Sequence, residues 1–346
     1  MKVTFFRHSL LSRGGDKMIV AHATHLAEVG HQVTIKTNKI DTVFEINPLV
    51  KIESLPFFGK FGTLLSAATV CNDCDRIVAD IIPLAFLLAV RNRTKVVYFA
   101  QDYDESYYSL PPLKLLVRFC YFLSLRLLRV PVIAVSNRLA ELLKERFNAD
   151  VIVVENGVDT DSFHPDPDPD LIDLKGDRRA ILLLSRNDWR KGFDLARKVI
   201  ESIGKTHQHL FEVWTVGESC TGIFPNTVHR DFGYVNEERL RELMSSADVF
   251  LYPSRHEGLP LMPLEAMACG CSIVTTIAVP YAVHEENALV SQIGDSDSLK
   301  GYLRVLLEDD YLHSRLVETG KIFASNYSLA AAKQKFEAVL AGMVQR

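Results

Sequence analysis

Two glutamates eight residues apart, Glu257 and Glu265, stand where a predicted strand gives way to a predicted helix. The strand should end near Tyr252 and the helix should begin near Leu261, because the two prolines nearby are tolerated only in or before a first helical turn. Glu257 is then expected in an exposed loop at the carboxyl edge of a sheet, and Glu265 about one turn into the helix. The pair can face one ligand at different depths. The alternative is two exposed carboxylates, one of which only stabilises the helix N-terminus.

The backbone between these glutamates favours an anion. The amides of Gly258, Leu259 and Leu261 lie at the positive end of the predicted helix, which suits a phosphate. His256 is the histidine best placed for the same site. Carboxylates beside a phosphate site are explained if they accept hydrogen bonds from sugar hydroxyls.

Two further loops follow predicted strands. Arg186 and Lys191 can both reach a diphosphate, the first through its planar fork and the second as a point charge; the alternative is a basic loop in an acidic domain. Gly14 and Gly15 follow the first strand and let the backbone approach a ligand closely, unless they form only a turn.

Short strands alternate with helices along both halves, which predicts parallel sheets of the doubly wound type. In the first half, strands are expected at residues 3–6, 32–37, 95–99, 131–135 and 151–154, and helices at 16–29 and 137–147. In the second half, strands are expected at 180–184, 210–216, 249–252 and 272–275, and helices at 193–203, 237–244 and 261–268.

The run from His164 to Asp170 alternates proline with aspartate, which predicts a stiff exposed linker rather than a helix interior or a central strand. We therefore expect a first domain over residues 1–164, a linker over 165–175 and a second domain over 176–324, with a helix at 325–346 packing back on the first domain. The carboxyl ends of the strands should face one central cleft, where open α/β sheets bind ligands.

Composition and charge exclude several classes of protein. The 346 residues favour two domains, and 48% hydrophobic with 24% charged residues is typical of folded soluble chains. A net charge of −4 argues against general binding of nucleic acid. Residues 1–150 carry +5 and the rest −9, which suggests a surface facing an anion or a chance distribution. Six cysteines without an even framework suit a reducing cytoplasm, and the CxxC pair Cys71 and Cys74 lacks the partners of a zinc site.

These features, in this order, resemble glycosyltransferase family 4, the retaining transferases of the GT-B fold. The resemblance covers nearly the whole chain, and its most specific part is Glu-Gly-Leu-Pro…Leu-Glu-Ala-Met around Glu257 and Glu265. The segments that stand where the family has them are Gly14-Gly15, Gly30-His31-Gln32-Val33-Thr34, Val135-Ser136, Asn156-Gly157-Val158-Asp159, Phe163-His164-Pro165, Arg186…Lys191-Gly192, Phe232-Gly233-Tyr234-Val235 and Glu257…Glu265. The resemblance implies an α/β chain of two Rossmann-like, doubly wound domains.

The resemblance also implies a role for each residue near the reacting bond. Glu257 would hold hydroxyls of the donor sugar, and the amides after it would contact the sugar and the distal phosphate. Arg186 and Lys191 would neutralise the diphosphate leaving group, where negative charge builds up as the glycosyl–phosphate bond breaks.

Other residues would bind the rest of the donor. By the same resemblance, Glu265 would bind the ribose hydroxyls, and Tyr234 with Val235 would meet the base. Gly14 and Gly15 would close over the diphosphate from the other domain.

The chain departs from the family in two places. The family often has His-Asp after the middle strand of the first domain, whereas this chain has Gln101-Asp102, and Gln101 cannot transfer a proton. Gln-Asp-Tyr followed by an acid resembles a branch that includes rhamnosyltransferases of surface polysaccharides. Asp102 then becomes the candidate base or sugar contact, unless it caps the following segment. The second departure is at residues 276–281, where the usual glycine-rich loop is replaced and shortened.

We therefore expect a hexosyltransferase-type enzyme of polysaccharide biosynthesis that uses a nucleoside diphosphate sugar, a glycan or lipid-linked acceptor, and neither metal nor other cofactor. Two alternatives stay open. One is a nucleotide-sugar epimerase of the same fold, and the other is a catalytically silent partner subunit that binds a nucleotide sugar or glycan.

The segment from Leu110 to Arg129 is apolar but contains four basic residues, Lys114, Arg118, Arg126 and Arg129. It is expected either to lie on the inner face of an anionic membrane, with the protein otherwise cytoplasmic, or to form a buried helix with a basic outer edge.

Overall fold

The computed structural model describes residues 1–70 and 73–344. Its contacts divide the chain into two units. The first comprises Met1–Asn156 together with the chain from Ala330 onward, and the second comprises Gly157–Leu329. Cys71 of the CxxC pair and the last two residues of the predicted terminal helix lie outside the described residues.

A parallel sheet of seven strands forms the centre of the first unit. In chain order, the strands of this unit are β1 (Lys2–Phe6), β2 (Ser9–Leu11), β3 (Gln32–Thr37), β4 (Lys39–Asp41), β5 (Lys51–Ser54), β6 (Arg76–Ala79), β7 (Val96–Ala100), β8 (Val132–Ala134) and β9 (Val151–Val153). The large sheet has the order β5-β3-β1-β6-β7-β8-β9, while β2 pairs with β4 alone. The central strands β1, β6, β7 and β8 are almost wholly buried, which is why they read as continuous apolar runs.

Helices connect these strands as crossovers. They are α1 (Gly14–Glu28), α2 (Gly59–Thr69), α3 (Ile82–Asn92), α4 (Pro111–Tyr121) and α5 (Asn137–Phe147), with a 3₁₀ turn at Asp104–Tyr107 and a π-helical segment at Phe122–Leu127. The Ser136 hydroxyl caps α5 by accepting from the Leu139 amide.

The second unit has a parallel sheet of six strands. In chain order, its elements are α6 (Pro169–Lys175), β10 (Arg179–Ser185), α7 (Phe193–His207), β11 (Phe211–Gly217), β12 (His229–Asp231), α8 (Glu237–Ser246), β13 (Val249–Tyr252), α9 (Leu261–Ala268), β14 (Ser272–Thr276), β15 (Leu289–Ser291), α10 (Ser296–Glu308) and α11 (Asp310–Ser325). The strand order is β12-β11-β10-β13-β14-β15. The order reverses beside β10, so β10 and β13 end at the switch point of this sheet.

The terminal helix α12 (Leu329–Val344) packs on α1 in the first unit. The Phe336 ring stacks on that of His22 with centroids 4.0 Å apart, and Glu337 accepts from His25 at 3.0 Å.

Two predicted boundaries need correction. Gly14 and Gly15 open α1 rather than ending a loop before it. The Pro-Asp run is also not a linker throughout, because residues 169–175 form α6 within the second unit. Pro169 occupies the first helical turn, where its missing N–H costs nothing, and the Asp168 carboxylate caps the Asp170 amide. The two units instead meet in sequence at Asn156 and Gly157.

Within the described ranges, no helix combines the length and apolarity needed to cross a bilayer.

Candidate active site

Glu257 and Lys191 form an ion pair at the carboxyl edge of the second sheet. The Lys191 Nζ lies 2.9 Å from both carboxylate oxygens of Glu257. The Glu257 side chain is only 5% exposed, so the expectation of an exposed loop was wrong at this residue. A buried carboxylate needs a cation and further donors, and Lys191 supplies the charge.

The close approach of two loops creates this pair. Gly192 follows Lys191 with φ +71°, and a Cβ built at Gly192 would lie 2.0 Å from the carbonyl oxygen of Pro253. Only glycine allows this backbone contact. It brings the loop after β10 against the loop after β13.

Two hydroxyls complete the surroundings of Glu257. Its Oε1 accepts from the Tyr252 hydroxyl at 2.7 Å and lies 2.6 Å from Ser254 Oγ. Ser254 Oγ is also 2.8 Å from the Arg190 carbonyl, but that carbonyl accepts from the Arg255 amide at 2.6 Å. Ser254 has one proton to donate, and we assign it to Glu257 because the charged carboxylate is the nearer and stronger acceptor.

Positive charge and a helix N-terminus lie beside the pair. Arg186 directly follows β10, is half-buried, and its charge acts on the buried Tyr252. Helix α9 begins at Leu261 without a side-chain cap, and the N-terminus of a helix attracts anions. Gly258 and Leu259, which precede it, are buried, and His256 is half-buried.

Glu265 lies in α9 and is 4% exposed, so the alternative of two exposed glutamates is also wrong. Burial first, and then the charges of Glu257 and Glu265, raise the pKa of Tyr281 well above its usual range. Tyr281 is therefore close to both carboxylates, and its hydroxyl donates to the Pro260 carbonyl at 2.6 Å. The shortened 276–281 segment thus packs against the start of α9.

Tyr234 and Val235 follow β12, in a segment that is held in place by hydrogen bonds to the Asp231 carboxylate. Tyr234 is 71% exposed, while Val235 is half-buried. Burial acts against ionisation of Asp231, but donors including the Cys220 amide and the Ser219 hydroxyl outweigh it and lower its pKa to about 2. The Asp231 carboxylate also accepts from the Gly233 amide at 3.3 Å. Sequence reasoning missed Asp231, which no motif marks.

At the carboxyl edge of the first sheet, Gln101 packs against the start of α1. A Cβ built at Gly15 would lie 3.0 Å from Gln101 Oε1, so Gly15 leaves room for this side chain, and its neighbour Gly14 is the first residue of the helix. Gln101 Oε1 is buried and accepts no hydrogen bond within the described part of the chain. Asp102 accepts from the Tyr103 amide at 2.7 Å, whereas no side chain caps the 3₁₀ turn that follows.

Buried acids cluster at this edge. Arg7 pairs with Asp16 and with Asp80, the latter at 3.2 Å. Burial raises the pKa of Asp16 to about 6, although Arg7 opposes the shift. Asp104 is 2% exposed, and its carboxyl accepts from the Ile82 amide at 2.5 Å and from Tyr98 at 3.1 Å. Burial raises the pKa of Asp104 well above its usual range.

The predicted membrane segment is partly buried. Val117, Cys120 and Tyr121 of α4 face the core, while Leu115 and Phe119 are exposed. Arg118 pairs with Glu105 through its Nε and Nη2, while about half of its side chain stays exposed. The segment therefore has one buried face and one exposed face that is both apolar and basic.

Among residues 1–70 and 73–344, no three His, Cys, Asp or Glu side chains are grouped so as to hold a metal ion.

Comparison with known proteins identifies the class. Residues 12–162 match the family model for Glycosyltransferase Family 4, and residues 169–323 match that for Glycosyl transferases group 1. With the two parallel sheets, these matches define the chain as a glycosyltransferase of the GT-B fold. Its first half carries the domain of family 4, and its second half carries the group 1 domain with Glu257 and Glu265.

Individual proteins agree with this class. A segment of 109 residues is 37% identical to O-antigen chain mannosyltransferase B of Escherichia coli, covering 30% of this chain but only about a quarter (26%) of that relative. Sucrose-phosphate synthase from Thermosynechococcus elongatus has the same fold, with a TM-score of 0.83, 16% identity and 99% of both chains covered. HepE of Anabaena, solved with UDP-glucose, superposes with a TM-score of 0.77 at 16% identity over 99% of this chain and 100% of that one.

Proposed function

We propose that this protein transfers a hexose from a nucleoside diphosphate sugar to a glycan or lipid-linked acceptor, with retention of anomeric configuration. The observation that carries the proposal is the buried Lys191–Glu257 pair at the switch point of the second sheet, beside the uncapped start of α9.

The charges of this site suit the reaction. When the bond between the sugar C1 and the phosphate oxygen breaks, the electron pair goes to the leaving diphosphate. Lys191 uses two of its three N–H groups on Glu257 and keeps one for a phosphate oxygen. Arg186 and the first amides of α9 add to this stabilisation, so the protein itself offsets the charge without a metal ion.

The carboxylates bind the neutral parts of the donor. In this proposal Glu257 accepts from sugar hydroxyls and Glu265 from ribose hydroxyls. The base lies along Tyr234 and Val235, and His256, Gly258, Leu259 and Leu261 line the sugar and the distal phosphate. In the first unit, Gly14, Gly15 and Gln101 contact the donor.

The acceptor hydroxyl forms the new bond to C1 and loses its proton. Asp102 is the candidate that receives this proton or contacts the sugar, because Gln101 can do neither acid nor base chemistry. A rhamnosyl donor, suggested by the Gln-Asp-Tyr-acid segment, is one hexose that the site would take.

The names of related proteins support a hexose donor and a surface-polysaccharide acceptor. The Escherichia coli relative is a mannosyltransferase of O-antigen chains, and the Anabaena structure contains UDP-glucose.

Turnover by the purified chain tests the proposal. It should release nucleoside diphosphate from one of UDP-glucose, GDP-mannose or dTDP-rhamnose when a glycan acceptor is added, and NMR of the product should show the anomer of the donor. Isomerised sugar nucleotide without acceptor would instead show an epimerase, and binding without turnover a silent subunit.

We also propose that the outer helices of the first unit contact an anionic membrane. Helices α2 and α4 both pack beside α3, and both expose apolar side chains. Phe58 and Phe61, at the start of α2, are 80% and 89% exposed. Apolar surface of this kind, flanked by the positive charge of the first half, suits a bilayer with anionic headgroups.

Vesicle sedimentation tests this contact. Since Arg118 is already paired with Glu105, the charges to change in the segment are Lys114, Arg126 and Arg129. Changing these three to Gln should weaken binding to anionic vesicles about 100-fold at low salt, at ~1 kcal/mol per charge. The same charge change at Lys198, Lys205 and Arg304 on the second unit is the control. Binding that ignores lipid charge, or that the control weakens equally, would refute the contact.

A further inference from the structure

Tyr252, the last residue of β13, touches both members of the Lys191–Glu257 pair. Its hydroxyl donates to Glu257 Oε1 at 2.7 Å, and the Lys191 Nζ lies 5.8 Å from its ring centroid. The side chain is buried, with 2% of the residue exposed. No motif of the sequence marks this tyrosine.

The donors around Glu257 are distributed unequally. Oε1 receives Tyr252, Ser254 and Lys191, whereas Oε2 receives Lys191 at 2.9 Å and no other donor within the described residues. A carboxylate oxygen has two lone pairs, so three donors saturate Oε1. Oε2 is left as the oxygen able to accept another hydrogen bond.

Toward the Glu257 carboxylate, the Tyr252 hydroxyl can act only as a donor. Burial first, and the neighbouring Glu257 charge second, raise its pKa well above the ordinary value for tyrosine. The hydroxyl therefore stays protonated wherever the enzyme is folded, and it holds the carboxylate in one orientation.

We infer that Tyr252 is a positioning residue: its hydroxyl occupies Oε1 of Glu257 and so presents Oε2 to a hydroxyl of the donor sugar, while its ring supports Lys191. This inference rests on the proposed function, since it assigns the sugar contact to one oxygen of the same carboxylate. It adds a residue that the family motif does not contain.

Tyr252→Phe is the direct test, because it keeps the ring beneath Lys191 and removes only the hydroxyl. Calorimetry first identifies which of UDP-glucose, GDP-mannose and dTDP-rhamnose binds the wild type. The variant should then bind the matching nucleoside diphosphate within twofold of wild type, because the phosphate contacts remain. Binding or turnover of the sugar nucleotide should fall about tenfold, the effect of one hydrogen bond to a charged group.

A double-variant cycle separates positioning from a general loss of packing. With Glu257→Gln already present, Tyr252→Phe should change sugar-nucleotide turnover less than twofold. Tyr281→Phe removes another buried hydroxyl of the second unit, bonded to the Pro260 carbonyl, and its melting temperature shows what such a loss does to the fold alone.

Equal weakening of the diphosphate and the sugar nucleotide by Tyr252→Phe would overturn the inference, as would an undiminished effect in the Glu257→Gln background. If Glu257→Gln itself leaves sugar-nucleotide binding and turnover unchanged, or if none of the three donors binds, the proposed function fails instead.

Discussion

The buried carboxyl groups at the carboxyl edges of the two parallel sheets have different partners. In the second unit, the Glu257 carboxylate is paired with Lys191 and accepts from the Tyr252 and Ser254 hydroxyls. In the first unit, Arg7 faces two carboxylates, and burial raises the pKa values of Asp16 and Asp104. The first arrangement pairs one buried carboxylate with one cation and two hydroxyl donors. The second holds two carboxyls whose pKa values are raised by burial, and it leaves Gln101 Oε1 without a donor among the described residues.

This difference suits a division of labour between the units. Stabilising a diphosphate requires charges that need not rearrange during the reaction. Handling an acceptor hydroxyl requires a group that accepts a hydrogen bond or a proton, which is the role proposed for Asp102. The following variants break one edge at a time.

The largest effect is expected at Lys191. Lys191→Ala removes the phosphate cation and leaves the buried Glu257 carboxylate uncompensated, so kcat should fall about 10²–10³-fold. Arg186→Ala should lower the rate less, about tenfold, because Arg186 makes no bond to Glu257. Lys198→Ala, on the exposed side of α7, is the control, and steady-state kinetics is the measurement.

EDTA treatment tests whether a metal ion contributes to the same step as Lys191 and Arg186. In the proposed site Lys191 and Arg186 offset the diphosphate charge, so chelation should leave the rate unchanged. A rate that strictly requires added Mg²⁺ or Mn²⁺ would assign that charge to a metal ion instead.

Asp104 should contribute to the stability of the first unit through the hydrogen bonds that its carboxyl accepts. Asp104→Ala leaves the Ile82 amide and the Tyr98 hydroxyl without their acceptor, at a cost of about 4 kcal/mol in the free energy of unfolding. Asp104→Asn keeps an acceptor oxygen for both donors, so it should cost less than Asp104→Ala, about 1–2 kcal/mol. Urea unfolding of both variants measures this, and equal losses would contradict the role given to the acceptor oxygen.

Asp16 should make the first unit sensitive to pH. Its pKa is about 6 in the folded chain against 3.8 for an ordinary aspartate, so the folded state binds this proton more tightly than the unfolded state. The resulting stabilisation is complete below about pH 4 and is lost as the pH rises through 6, with a total of about 3 kcal/mol. The unfolding free energy of the wild type minus that of Asp16→Asn should therefore fall by this amount from pH 3.5 to 7. A difference that is constant or grows with pH would contradict the assignment.

Local signals in the sequence predicted the elements that carry the site. Strand β13 and helix α9 begin and end at the predicted residues, because prolines at 253 and 260 separate them. Helix α5 also matches its predicted bounds, since Ser136 is a strong cap and Asn148 adopts the left-handed conformation after Phe147. The alternation of such elements predicted two doubly wound parallel sheets, and the resemblance to glycosyltransferase family 4 implied the GT-B fold.

Contacts between segments that are far apart in the sequence could not be predicted from local signals. The burial of Glu257 depends on Gly192 meeting Pro253, 61 positions later, and nothing local to either residue records that approach. The pairing of Arg118 with Glu105 likewise depends on how α4 folds back, so the sequence around Arg118 gave no sign of it. Helix α6 was missed because the proline run outweighed a good N-terminal cap at Asp168.

Glu257 is the residue on which the proposed function depends most, and donor-dependent transfer by Glu257→Gln is its most direct test. The substitution keeps the size and the hydrogen-bonding oxygen of the side chain but removes the charge that holds Lys191. With an unchanged melting profile, kcat/KM should fall at least 100-fold, while affinity for the nucleoside diphosphate changes far less. A folded Glu257→Gln enzyme that transfers sugar at a near wild-type rate would contradict the account.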